Sequence, residues 1–267
     1  MIRTKIRENL EHIAVPSPTL PPATTTNAWI LGEHTIVDPA AHTSKNKQSL
    51  LDCLRSHPPQ QIFLTHHHND HIASAVFLRE TLQIPIISSE RTANLLSFSV
   101  DFHLKEGDVI SCSGEDWYVY ETPGHAFGHL CLFSPTHKDI VAGDMVAGEG
   151  TILLVPGEGD FGAYITQLYR LKSLAPLRLL PAHGPAIEHA EDYLQHYIDH
   201  RNKRLLQILN ALSTEPQTEL MLAQTIYADI PSHMHPIAAK QILCHLHHLE
   251  EIEKAKPLEN GWVLKRS

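Results

Sequence analysis

Gln61-Ile62-Phe63-Leu64-Thr65-His66-His67-His68-Asn69-Asp70-His71 places a short apolar run directly before four imidazoles and a carboxylate. The apolar tetrad reads as a buried strand. Ile72-Ala73-Ser74-Ala75-Val76-Phe77-Leu78 reads as a helix that Asn69 or Asp70 caps. Strand side chains alternate, so His66 and His68 fall on one side and His67 on the other, which sets His67 aside as a ligand. Asp70 and His71 then reach back toward the same pocket from the first turn of the helix. Composition offers a blander account, since the chain has 21 histidines and a solvated histidine loop would be compatible with it. The pattern of further donors at strand ends decides for a metal site.

Those donors recur on one plan. Glu115-Asp116-Trp117-Tyr118-Val119-Tyr120-Glu121-Thr122 is a strand that delivers His125 just past Pro123-Gly124. Asp139-Ile140-Val141-Ala142-Gly143 does the same for Asp144, and Leu177-Arg178-Leu179-Leu180-Pro181-Ala182 for His183. Seven donors exceed one tetrahedral zinc but suit two metals that share a carboxylate and a water. His66, His68 and His125 are assigned to the first metal, Asp70, His71 and His183 to the second, and Asp144 to the bridge. Nitrogen and oxygen donors without thiolate favour Zn2+, with iron or manganese admissible. Two such metals bring the pKa of a shared water to about 7, giving a bridging hydroxide at neutral pH. Asp70 is the catalytic candidate, because it both ligates and orients that hydroxide.

With these residues in hand, the chain resembles the metallo-β-lactamase superfamily, whose H-x-H-x-D-H signature is matched from His66 to His71. Thr122-Pro123-Gly124-His125, Gly143-Asp144 and Pro181-Ala182-His183-Gly184 follow in the family's order. Asn27-Ala28-Trp29-Ile30-Leu31-Gly32 and Thr35-Ile36-Val37-Asp38-Pro39 look like its opening hairpin. The resemblance implies an α/β fold, the αββα sandwich, and metal-dependent hydrolysis. Antibiotic-degrading members place a cysteine among the second metal's ligands, whereas this chain offers Asp144, which argues against a lactamase. Diiron flavoproteins of the family carry glutamate where His68 stands, and no flavodoxin-like half follows here.

The rest of the chain fits one large domain, 1–212, and a small one, 213–267. At 267 residues and 42% hydrophobic it can bury a real core. Ala186 to Leu212 has helical periodicity, with Tyr193, Tyr197, Leu205, Ile208, Leu209 and Leu212 on an inward stripe, and Ser213-Thr214-Glu215-Pro216 ends it. Helices follow over Leu220–Tyr227 and from Pro236 to Glu251, with Ile242, Leu246 and Leu249 on one apolar line. Asn260-Gly261 then turns into the strand Trp262-Val263-Leu264. Helix, helix, hairpin suggests a winged helix. With the Gly148-Glu149-Gly150-Thr151 loop and His200-Arg201-Asn202-Lys203-Arg204, the whole chain resembles the β-lactamase-like protein 2 group, which includes an endoribonuclease acting on single-stranded RNA.

Net charge is -9, so nucleic acid would need a local basic patch. Arg201, Lys203 and Arg204 offer one where phosphates could dock, or else form a solvated helix face. Lys254, Lys256, Lys265 and Arg266 add charge near the wing, against Glu250, Glu251 and Glu253. His245, His247 and His248 are read as surface and packing residues, and His129 as the start of a strand rather than a group orienting a ligand. Cys53, Cys112, Cys131 and Cys244 stand apart, as isolated thiols of a reducing compartment do. No apolar run approaches the ~20 residues of a bilayer span, and the charged opening Met1–Glu8 lacks a signal-peptide core, so a cytoplasmic location is expected. The leading expectation is a dinuclear zinc hydrolase of phosphodiesters or single-stranded RNA. A glyoxalase II type thioesterase is the alternative, and a winged-helix binding protein with a vestigial metal domain a third. A small-molecule substrate and a homo-oligomer are both compatible with the sequence.

Overall fold

The computed structural model describes residues 1–265, so Arg266 lies outside the described residues. In the first sheet β1 (Arg3–Arg7), β2 (Leu10–Pro16), β3 (Thr25–Leu31) and β4 (Thr35–Val37) pair antiparallel in turn. From β4 the sheet continues in parallel through β5 (Gln61–Phe63), β6 (Ile86–Ser89) and β7 (Phe102–Leu104). Parallel neighbours need crossovers. They are supplied by α1 (Ser44–Leu54), by α2 (Asn69–Ile72) with α3 (Ala75–Leu82), and by α4 (Glu90–Ala93). The second sheet is an antiparallel run of β8 (Val109–Cys112), β9 (Glu115–Glu121), β10 (Leu130–Ser134) and β11 (Asp139–Gly143). After α5 (Phe161–Ser173), β12 (Arg178–Pro181) lies parallel beside β11.

Alternation along β3 shows why two sheets are needed. Trp29 and Leu31 face the second sheet, where Phe63 joins them against Trp117, Val119, Leu132, Val141 and Leu180. Ala28 and Ile30 face the other way and pack with Leu50, Leu54 and Leu78 of α1 and α3. The far side of the second sheet, through Cys131, Phe133 and Ile140, is covered by α5 and by α6 (Ala190–Ala211). The result is the expected four-layer αββα sandwich.

The tail folds as α7 (Glu219–Ile226), a short 3₁₀ turn, α8 (His235–Glu251), β13 (Ala255–Leu258) and β14 (Gly261–Leu264). Ile242, Leu246, Leu249 and Trp262 close its core. Trp262 also exchanges backbone bonds with Gln217, completing the wing of a winged helix. The two-residue turn is Glu259-Asn260 rather than Asn260-Gly261, because Gly261 already pairs with Leu258. Its φ of 136°, with Gln217 O 2.6 Å from where a Cβ would sit, explains the glycine.

The cores share a helix. Leu194 and Ile198 of α6 belong to the sandwich, while Ile208 and the following Leu212 belong to the tail. Residues 186–189 are not helical, since Ile187 pairs with Leu179 before α6 begins. Ile72 to Leu78 is also not one helix: neither Asn69 nor Asp70 caps it, and the chain bends at Ser74. The Ser74 N–H donates to Pro39 O and its hydroxyl to Ala41 O, which pins the bend to the first sheet. Cys53, Cys112, Cys131 and Cys244 are all free, and no helix is long and apolar enough to cross a membrane among the described residues.

Candidate metal centre

The histidine run leaves the C-terminal end of β5, Asp144 that of β11, and His183 that of β12, while His125 follows β9. All arrive at one edge of the sandwich, the usual place for a site in sheets with parallel strands. Asn27 fixes the turn that carries His183: its amide donates to Pro181 O at 3.0 Å and Gly184 O at 2.7 Å, and Trp29 Nε1 donates to Pro181 O at 3.1 Å. Gly124, at φ 144°, lets the His125 turn lie against α5, where a Cβ would fall 2.3 Å from Tyr164 Cα.

The structure brings all seven candidate ligands together. His66, His68, His125 and Asp144 form one group of mutually close donor atoms, and Asp70, His71 and His183 another. His66 Nε2, His68 Nδ1 and His125 Nε2 make a triangle with edges of 2.9, 3.0 and 3.3 Å. Asp144 faces both groups, its Oδ2 lying 3.4 Å from His125 Nε2 and 3.6 Å from His71 Nε2, its Oδ1 3.5 Å from His183 Nε2. Asp70 Oδ2 is 3.5 Å from His183 Nε2. His67 stays outside both groups, at the rim with His68 and Glu158.

The outer nitrogen of each imidazole already has an acceptor, and this assigns the tautomers. Thr65 gives its hydroxyl proton to Asp38 Oδ2 (2.7 Å), so its oxygen accepts from His66 Nδ1–H (2.9 Å). His71 Nδ1–H donates to Asp38 Oδ2 at 2.8 Å, His125 Nδ1–H to Leu153 O at 2.8 Å, and His183 Nδ1–H to Thr25 O at 3.1 Å. His68 Nε2–H points at Glu158 Oε2, 3.2 Å away. With every imidazole in its neutral form, five lone pairs therefore face inward with two carboxylates, the Thr19 hydroxyl lies 3.4 Å from His183 Nε2, and among the described residues His71 Nε2 and Asp144 Oδ1 are buried without a hydrogen-bond partner. Bonds of about 2.05 Å in a tetrahedron put ligand nitrogens roughly 3.3 Å apart, close to the observed triangle. The donor set fits divalent metal.

Electrostatics agree. Burial drives His66 well below its ordinary value, reinforced by the surrounding imidazoles, and takes His125 down to about 4 despite Asp144, so both are neutral lone-pair donors. Burial also acts on His71, but the carboxylates of Asp144 and Asp38 on either side outweigh it and raise its pKa well above normal. Burial would raise Asp144, yet His71, His183 and His125 hold it well below the carboxylate range. The space between His71 and Asp144 calls for positive charge, which a metal ion supplies.

Two positioning groups are more important than the sequence suggests. Asp38 sits in the opening hairpin and accepts from the Thr65 N–H, the Thr65 hydroxyl and His71, setting two imidazoles at once. His129, expected only to start a strand, does orient a candidate ligand. Its Nε2 accepts the Asp144 backbone N–H at 3.1 Å while Nδ1 bonds Thr122 Oγ1 at 2.8 Å. Burial keeps it neutral, as that acceptor role requires. Gly143, at φ 48°, leaves room for this ring: a Cβ there would stand 2.5 Å from His129 Nε2. The spacing of His129 four residues past His125 was the one available signal.

The basic run differs from both expectations. Arg201 is 5% exposed and donates to Ile152 O. Arg204 stacks 4.0 Å over the Tyr227 ring, and of the three only Lys203 is exposed. Of the histidines read as surface and packing residues, His245 is fully buried 4.3 Å from the Phe161 ring, and His247 packs on Trp262. His245 joins tail to sandwich through Phe161, and Arg201 and Arg204 are engaged by neighbouring groups rather than forming a basic face.

Comparison with known proteins places this geometry. Residues 21–183 match the model of the metallo-beta-lactamase superfamily, and residues 218–262 that of the beta-lactamase associated winged helix domain. A Caenorhabditis elegans protein named beta-lactamase-like protein 2 homolog is 29% identical over 190 residues, covering 69% of this chain and 62% of that protein. A Bdellovibrio bacteriovorus protein named hydroxyacylglutathione hydrolase is 31% identical over 168 residues, covering 63% of this chain and 61% of that protein. These two matches thus span under two thirds of the relatives' own lengths. A metallo-beta-lactamase family protein of Thermus thermophilus superposes with a TM-score of 0.81 at 20% identity, covering 97% of this chain and 99% of that one. The strand-end donors and the winged helix that follows them in the chain have one common explanation: the chain belongs to the metallo-β-lactamase superfamily, a family generally of metal-dependent hydrolases.

Proposed function

We propose that the chain is a dinuclear metal hydrolase, favouring zinc, that cleaves thioesters in the cleft above Asp144. The observation that carries the metal reading is the inward turn of five imidazole lone pairs around two carboxylates. When bound, the metals supply Lewis acidity and a water ionised near neutral pH. Asp38 and His129 keep His71, His66 and Asp144 in place, and Asp70, at the partly open mouth, orients the attacking water by accepting its hydrogen bond.

The cleft, of about 280 Å³, has apolar walls from Pro18, Leu20, Ala23, Ile152 and Leu153, and no lysine or arginine among the described residues lines it. Such a surface suits an acyl chain better than a polyanion. The phosphodiester and single-stranded RNA reading drew on an exposed basic run, and Arg201 and Arg204 are engaged elsewhere. The relative named for hydroxyacylglutathione, an acylated thiol, supports the same choice.

The test is a turnover panel on metal-replete wild type and a folded Asp144→Ala variant, with S-acylglutathiones, S-acylpantetheines, single-stranded RNA and a β-lactam. Thioester turnover is expected in wild type and absent in the variant. RNA cleavage with intact thioesters would move the assignment to phosphodiesters, and silence on every substrate with metal bound would reject a hydrolase of these classes.

A further inference from the structure

Between the loop beside the metal cleft and the winged helix lies a second cavity of about 290 Å³. Thr151 and Leu153 line both spaces and so form the partition between them. The far wall is apolar, from Ile230, Met234, Ile237 and Ala238, and the α6 wall is basic, from His200, Arg201 and Arg204. No carboxylate among the described residues lines it.

That wall has a physical deficit. Arg201 stays charged at any accessible pH, yet it is 5% exposed and, among the described residues, meets only neutral partners, Ile152 O and the Tyr164 hydroxyl. The faces of Tyr164 and Tyr197, 5.1 and 5.6 Å away, offset part of the charge. Its Nε has no acceptor among the described residues. Gln241, also 5% exposed, spends its Oε1 on the Leu154 N–H at 2.8 Å and leaves Nε2 without one. A buried donor left unmatched costs about 1–3 kcal/mol, and an unpaired buried charge more. A buried cation without a counter-ion, Arg201, and a second cation, Arg204, on the wall of one apolar-sided space describe a site for an anion with an organic tail. A bound water would answer a donor but not the charge.

We propose that this cavity binds the carboxylate of a small amphipathic organic acid, with its head toward Arg201, Arg204 and Gln241 and its tail against Ile230, Met234 and Ile237. The site is separate from the metal cleft, and the proposal stands whichever bond that cleft hydrolyses.

Octanoate is titrated calorimetrically into the full-length, metal-replete protein, with octanol and inorganic phosphate as comparators. The same titrations are run on Arg204→Gln and Met234→Trp, both at half-buried positions and both checked for unchanged thermal unfolding. Expected is saturable one-to-one binding of octanoate, weakened about tenfold or more by each substitution, the first removing charge and the second filling the tail space. Octanol and phosphate are expected to bind at least about tenfold more weakly than octanoate. Absence of saturable binding overturns the proposal, as does octanoate affinity unchanged by either substitution, which would place it in the metal cleft or elsewhere. Octanol or phosphate matching octanoate overturns the amphipathic-acid assignment.

Discussion

Asp38→Asn alters a single polar atom of the protein, and the bonding around that atom predicts a large effect. An amide nitrogen in the place of Oδ2 would face the hydroxyl of Thr65 and Nδ1 of His71, both now donors to it. His71 must then move its proton to Nε2, which points at Asp144, and its inward lone pair is lost. Metal affinity, read by competition with a chromophoric chelator, is expected to fall about 10–100-fold, the usual cost of removing such a support. Unchanged affinity would show that His71 does not ligate. The seven candidate positions were legible in the sequence because all follow an apolar strand, His125, Asp144 and His183 past a glycine- or proline-assisted turn and the other four in one histidine-rich run. Asp38 was not, since a lone aspartate after the three-residue β4 has no spacing that separates it from an ordinary turn residue. His129 was visible as a position but not as a role, because its partner is the backbone of Asp144 rather than a side chain.

Among the elements, α8 holds a built-in acid sensitivity. Burial, partly offset by the bond to Gln241 O, brings the pKa of His245 down to about 3. The unfolded chain protonates this side chain near its ordinary 6.5 while the folded chain does not, so the unfolded state binds more protons between those values. Stability from this group is therefore full above pH 6.5 and falls as pH drops toward 3, by about 2 kcal/mol between pH 7 and 5. In denaturant titrations at those two pH values, His245→Phe is expected to lose about 2 kcal/mol less than wild type. Equal losses in the two proteins would contradict the burial argument. Helix periodicity marks Ile242, Leu246 and Leu249 as core, whereas His245 is read with its neighbours only as one of several surface and packing residues. Its face of α8 is buried against Phe161 of α5, a contact between elements far apart in sequence that one-helix periodicity does not encode. Arg201 was misread for the same reason, since a charged run looks solvated until the tail covers it.

For the molecule as a whole, the sandwich and the winged helix were both recognisable, but the way they are joined was not. The Ser213-to-Pro216 break suggests a domain boundary after residue 212, yet Ile208 and Leu212 lie within the tail's core and Leu154 of the cleft loop bonds Gln241 of α8. A fragment of residues 1–212 is accordingly expected to unfold at least about 10 °C below the full chain, or without a cooperative transition, in calorimetry. A fragment melting with the full-length protein would restore two independent units. For anyone recombining modules of this family, the workable seam is inside the long helix, near exposed Lys203, with an incoming segment that brings its own lower half. A graft at the loop would leave behind a greasy stub that belongs to the discarded module.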